Sequence, residues 1–259
     1  LYNQGALLLC VGSFHEGWRK GGLSTSVIFR LLDNIGGREM LEERASDVER
    51  IDVHFKQLRS MIRDFGSKHK MFYPRLFDGA PSVPRPELLT NCRVLNNRLE
   101  IIRGLPQGGV FAEIGTMYGD FIVRVLEINQ PEEVHIFDYG MQNISAANKV
   151  KLDAYGKVKY HVGDSSSNLA SLPDEYFDVI YIDADHSFHG VWKDLMQAIK
   201  KIKPSGYIVC NDYTNFDPIQ VIPYGVYAAV NKFANEYNFR FEFLALSSMG
   251  FHDVALRRC

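Results

Sequence analysis

From Val110 onward the apolar positions follow a repeating scheme. Short continuous apolar runs, the pattern of buried strands, alternate with stretches whose apolar residues recur every three or four positions, the pattern of helices. The strand candidates are Val110–Ile114, Val134–Asp138, Val158–Val162, Phe177–Asp183 and Tyr207–Asn211. Helical spacing lies between them at Phe121–Asn129, Ile144–Tyr155, around Leu169, and at Phe188–Ile202, where Phe188, Val191, Trp192, Leu195 and Ile199 share one face. Apolar strands alternating with helices predict an α/β domain with a parallel sheet covered on both sides. The end of the chain differs. A helix at Tyr227–Tyr237 is followed by strands Phe239–Leu246 and Phe251–Arg257, joined by Ser247-Ser248-Met249-Gly250, which predicts an antiparallel hairpin.

The first part of the chain has another texture. Glycines are frequent up to Gly37, with a helix expected near Ser26–Asp33. Val48, Ile51, Phe55, Leu58, Ile62 and Phe65 then form an apolar seam on a longer helix, which either packs within its own domain or joins two subunits. Met71–Pro86 holds four of the ten prolines and reads as a linker or lid. Thr90–Arg103 reads as a helix stopped by Gly104. The expected division is an N-terminal helical extension over 1–89 and a catalytic domain over 90–259.

Composition narrows the function classes. With 46% apolar and 23% charged residues the chain is an ordinary globular protein, and a net charge of −2 argues against a general nucleic-acid surface. No apolar stretch reaches membrane-spanning length. Cys10, Cys92, Cys210 and Cys259 show no metal or redox spacing, which favours a reduced cytoplasmic setting. The chain begins at Leu1 rather than Met, so an upstream segment, a targeting sequence included, stays open.

In an open α/β sheet, ligands sit beyond the carboxyl ends of the strands, and the chemistry is read there. The first strand ends in Glu113-Ile114-Gly115-Thr116-Met117-Tyr118-Gly119, a glycine turn into a helix whose spacing misses the dinucleotide fingerprint at Met117 and Asp120. Asp138 ends the second strand, either to accept ribose hydroxyls or as a turn acid. Gly163-Asp164-Ser165 follows the third, either near an adenine or as a helix start capped by Asp164 or Ser165. The fourth and fifth strands end in Asp183-Ala184-Asp185-His186 and Asn211-Asp212. Carboxylates this dense repel one another unless a proton or cation compensates, and oxygen ligands from adjacent strand ends suit Mg²⁺.

Together these stretches resemble the class I S-adenosylmethionine-dependent methyltransferases. They are most similar to the metal-dependent O-methyltransferases of macrolide sugars, and more distantly to the catechol and caffeoyl-coenzyme A enzymes. The likeness covers about Leu99 to Arg257. It implies a Rossmann-like, mostly parallel seven-stranded sheet with an antiparallel C-terminal hairpin, and an enzyme of natural-product biosynthesis. The resemblance implies that Glu113, Gly115, Thr116 and Gly119 cradle the methionine part of the cofactor. Asp138 would hold the ribose, and Gly163, Asp164 and Ser165 the adenine end, with Asp183 also at the cofactor. Asp183, Asp212 and Asn211 would ligate Mg²⁺, and His186 would be the general base. The sequence departs from the pattern at Met117, in place of the middle glycine, and at Asn211-Asp212, where the catechol enzymes have Asp-Asn.

Three functions compete: a Mg²⁺-assisted O-methyltransferase for a hydroxylated small molecule, a metal-independent N- or O-methyltransferase, and a non-catalytic cofactor-binding subunit that docks a partner through the seam. His186 beside two candidate ligands favours the first. The expected partners are a small-molecule acceptor and, if the seam is an interface, a second copy of the chain.

Overall fold

The protein is described from a computed structural model covering residues 83–220 and 222–259, with the separate helical positions Val53, His54, Lys56, Gln57, Ser60 and Met61. Those six helical positions are exposed. The seam residues Val48, Ile51, Phe55, Leu58, Ile62 and Phe65 lie outside the described residues, as does most of the proline-rich stretch. The chain divides into two compact units, Leu1–Phe72 and Tyr73–Cys259. Residues 83–89 pack on the second: the Asn235 side chain bonds the Val83 carbonyl and the Arg85 amide, and Leu88 is buried in the core.

The second unit is an eight-stranded sheet. Strands β1 (Arg93–Leu95), β2 (Val110–Ile114), β3 (Glu133–Asp138), β4 (Val158–Val162), β5 (Phe177–Ile182), β6 (Ile202–Cys210), β9 (Phe239–Ala245) and β10 (Asp253–Arg258) run in the order β1-β9-β10-β6-β5-β2-β3-β4. The short strands β7 (Phe216–Asp217) and β8 (Ile222–Pro223) make a separate ribbon. All pairs from β6 to β4 are parallel, whereas β10 runs antiparallel to both β6 and β9. Three helices cover each face. One side carries α1 (Arg98–Gly104), α2 (Asp120–Asn129) and α3 (Ala146–Tyr155); the other carries α4 (Ser165–Ala170), α5 (Phe188–Lys201) and α6 (Val226–Tyr237). Each face has its own buried cluster, which is why the central strands read as unbroken apolar runs.

The expected α/β fold with its closing hairpin is present, with one strand more than the seven expected. The extra one is β1, which falls inside the stretch read as a single helix over Thr90–Arg103. Asn97 is the reason: its side chain accepts hydrogen bonds from the amides of Leu99 and Glu100, capping α1 and leaving Arg93–Leu95 to pair with β9. The order of strands reverses between β2 and β5, which opens the crevice where such sheets bind ligands. Among the described residues no helix is long and apolar enough to cross a membrane.

Candidate active site

The crevice above β2 and β5 holds a cavity of about 590 Å³. Its floor is the turn after β2. Gly115 has φ 83°, and a Cβ there would sit 2.0 Å from the Asp183 carbonyl oxygen, so the crossing of these two strand ends requires glycine. Met117, in place of the missing middle glycine, also takes a left-handed conformation, φ 48°. The position still demands the backbone that glycine adopts freely, and here a methionine carries the strain. Gly119, φ 78°, precedes the first turn of α2. Below the turn, Glu113 is 2% exposed, and its Oε2 and the Thr116 Oγ1 are buried without hydrogen-bond partners. Burial pushes the Glu113 carboxyl up to about 8, so it is largely neutral at pH 7.

Asp138 ties this turn to β3. Its Oδ2 accepts from the amides of Thr116 (3.0 Å) and Met117 (3.2 Å), and its Oδ1 from Gly140 (3.0 Å). It therefore holds the glycine turn in shape while facing the cavity. Gly163 and Ser165 also line the cavity, and Ser165 donates to the buried Asp194, whose carboxyl burial raises to about 6. Of the cofactor candidates, Gly119 does not line it, and neither does Asp164. Its carboxylate caps α4 through the Ser167 amide and hydroxyl, and Lys193, 2.7 Å away, holds it down at about 2. Of the two readings of Gly-Asp-Ser, the helix cap is the one observed at Asp164.

At the ends of β5 and β6, His186 stands between two carboxylates. Its Nε2 lies 3.4 Å from Asp183 Oδ1 and 3.4 Å from Asp212 Oδ2, yet is a buried atom with no well-formed hydrogen bond. Burial alone would lower the imidazole pKa; Asp183 and Asp212 outweigh it and hold the ring above its ordinary value. Burial raises Asp212 to about 6, against the pull of His186. Asp212 reaches this place from a left-handed residue, φ 51°. Asp183, Asp185 and His186 line the cavity, and Asp185 accepts the Ser187 amide at 2.8 Å.

Asn211, expected as the third oxygen ligand, is buried beside Asp212. Its amide donates to Asp253 Oδ1 at 3.4 Å, while Asp253 Oδ2 accepts from the Tyr181 hydroxyl at 2.5 Å. A buried carboxyl at the start of β10, raised to about 7 by burial, thus holds the amide nitrogen of Asn211, the end that a hard cation does not use. Among the described residues no three His, Cys, Asp or Glu side chains are grouped to hold a metal ion.

Sequence reasoning missed three supports of this arrangement. Tyr224 stacks on the His186 ring at 4.5 Å, almost parallel, and its hydroxyl donates to Asp217. Gly225 donates its amide to the His186 carbonyl at 2.7 Å, and a Cβ there would lie 2.1 Å from the Phe188 nitrogen. Arg98, the first residue of α1, lines the cavity; nothing in its local sequence separates it from a surface arginine. Asp253 had a readable signal, a lone acid opening an otherwise apolar strand.

A family model described as a methyltransferase domain matches residues 112–213. The matched segment is similar to a methyltransferase domain. The match runs from β2 to just beyond β6, the part of the sheet that builds the cavity. An uncharacterized protein of Acanthamoeba polyphaga mimivirus is 28% identical over 133 residues, covering 47% of this chain and 58% of the viral protein. The chain thus spans less than two thirds of that relative's length. Similar solved structures include a S-adenosylmethionine-dependent methyltransferase of Aquifex aeolicus (17% identical, 61% of this chain and 87% of that one, TM-score 0.45). An O-methyltransferase of Thermotoga maritima is 14% identical, with 62% and 63% covered and a TM-score of 0.46. The protein PH0851 is 14% identical, with 61% and 44% covered and a TM-score of 0.50. At its identity the likeness to PH0851 speaks to the fold alone.

Proposed function

We propose that the protein transfers a methyl group from S-adenosylmethionine to a hydroxyl of a small molecule, with His186 as general base. The observation that carries the reading is the unpartnered Nε2 of His186, held between Asp183 and Asp212 beside the cavity. Support for the cofactor comes from the glycine turn, from the cavity's size, and from Glu113 Oε2 and Thr116 Oγ1, buried polar atoms that a ligand's polar head would satisfy. In this reading Glu113 and Thr116 face the methionine part, Asp138 the ribose, and Gly163 and Ser165 the adenine end. A hydroxyl of a natural-product sugar is the first acceptor to try, on the resemblance at Asp183-Ala184-Asp185-His186.

When bound, the cofactor supplies an electrophilic methyl group on a sulfonium, which an oxygen displaces in line. The chain's own part is to orient that oxygen and remove its proton. A neutral imidazole accepts the proton at Nε2, and the two carboxylates stabilise the imidazolium that forms. Tyr224 keeps the ring plane fixed, so the nitrogen faces one direction.

The donors in place do not group into a magnesium site: the imidazole stands between Asp183 and Asp212, where the ion would have to sit. No step is assigned to a metal. A second reading, Mg²⁺-assisted transfer, is favoured by the hard oxygen donors of these two adjacent strand ends. The experiment is labelled-methyl transfer from S-adenosylmethionine to a panel of hydroxylated natural products, with and without chelator. Turnover that survives chelator and falls in His186→Ala is expected. Loss of turnover in chelator, restored by Mg²⁺, would replace the first reading with the second; no transfer to any acceptor would overturn both.

A further inference from the structure

The cavity is strongly acidic. Asp120, Asp138, Asp183 and Asp185 line it beside the protonated Glu113, and Arg98 is the one arginine or lysine among its described lining residues. A ligand bearing a carboxylate meets repulsion everywhere in this space except near that guanidinium.

Arg98 is placed for such a contact. It opens α1, held there by the Asn97 cap, and its guanidinium carbon lies 4.6 Å over the Phe121 ring in the first turn of α2. Burial opposes the guanidinium's charge, and the neighbouring Tyr181, Asp253 and Asp183 outweigh it; the Tyr181 hydroxyl itself donates to Asp253. The guanidinium carries five N–H donors. Among the described residues no carboxylate stands at ion-pair distance from Arg98. Its charge instead acts across the cavity on Glu113, Asp183 and Asp212. This is the end of the crevice away from Asp138 and Gly163, which stand on the β3 and β4 side.

We propose that Arg98 binds the carboxylate of the cofactor's amino-acid moiety and so fixes which end of the cofactor faces His186. The inference rests on the S-adenosylmethionine reading and adds to it a residue outside the matched 112–213 segment. Arginine suits the role because its planar fork meets a carboxylate through two parallel hydrogen bonds. Phe121 below it holds the fork in place before the ligand arrives. The sulfonium and ammonium of the same ligand would lie toward the acidic lining, so both signs of charge on one molecule find partners.

The test is equilibrium binding of S-adenosylhomocysteine and its decarboxylated analogue to the full chain, by calorimetry, in the wild type, Arg98→Met and Arg98→Lys. The wild type should prefer the carboxylate-bearing ligand by about 10- to 100-fold, the range of a charge-assisted contact. Arg98→Met should bind both ligands alike, and Arg98→Lys should recover part of the preference. Equal binding of the two ligands by the wild type would overturn the inference and leave the cofactor reading intact, a result that needs no variant to fold. An Arg98→Met protein that keeps the preference, or that changes only the KM of an acidic acceptor, would also overturn it. Failure of the wild type to bind either ligand would instead overturn the cofactor reading and the inference with it.

Discussion

His186 is held by the two groups that oppose its use as a base. Asp183 and Asp212 favour the imidazolium, so the ring must lose a proton at a pH above the ordinary histidine value of about 6.5 before it can accept one. The kcat/KM profile should therefore rise with pH to a plateau, its acid limb above that value. Asp212→Asn removes one of the two carboxylates and should move the limb to lower pH; a limb that stays in place would separate the titration from His186. His186→Ala should lower kcat by about 10²–10⁴-fold with cofactor affinity little changed. Glu113 carries a second proton of consequence. Its folded value of about 8 lies above the unfolded carboxylate value of about 4.3, so the folded state retains the proton more firmly. Its stabilising contribution is complete below the unfolded value and is lost as pH rises toward and through the folded one. The melting temperature of the free protein should accordingly fall between about pH 5 and 8, less steeply in Glu113→Gln. The sequence shows why these two residues were found: each ends or follows an apolar strand where a charged group has no structural reason to be. Arg98 and Tyr224 sit amid ordinary helix and loop residues, and only the folding of distant segments brings them to the cavity.

Among the elements, the turn after β2 and the loop after β6 carry the most constraint. Gly115→Ala would force a Cβ into the Asp183 carbonyl at a left-handed position, so the crossing of β2 and β5 must shift. A stability loss of at least about 1–3 kcal/mol is expected in chemical denaturation, together with loss of cofactor binding. Gly225→Ala acts differently. The clash is with the start of α5 and the displaced bond is to His186, so kcat should fall by more than cofactor affinity does. Parallel loss of both would show that the loop holds the whole sheet rather than the base. The strands and long helices were legible because both sheet faces are buried, which leaves runs of apolar residues that nothing else explains. The extra strand β1 was not. Three residues that are mostly exposed, Arg93, Val94 and Leu95, have no pattern of their own, and their pairing is decided by β9, which comes 150 residues later in the chain.

At the scale of the whole molecule, the sheet order divides the work. The strands to one side of the reversal, β2 to β4, carry the residues read as cofactor contacts, and β5 and β6 carry the base and its carboxylates. Such a division was legible in the sequence, since polar residues cluster at strand ends in chain order; the bond from Asn211 to Asp253 was not, because Asp253 arrives from the far end of the chain. Loops beyond β6 are the natural place for acceptor choice, and Phe216, Ile219 and Ile222 are exposed there. Yet Tyr224 from this same segment stacks on His186, and Gly225 is bonded to it. Anyone seeking a new acceptor by grafting a foreign loop would thus remove the support against which the His186 ring is held. Grafts that stop at residue 223 should keep turnover on the new substrate, and grafts that run through 225 should be folded proteins with a misplaced base.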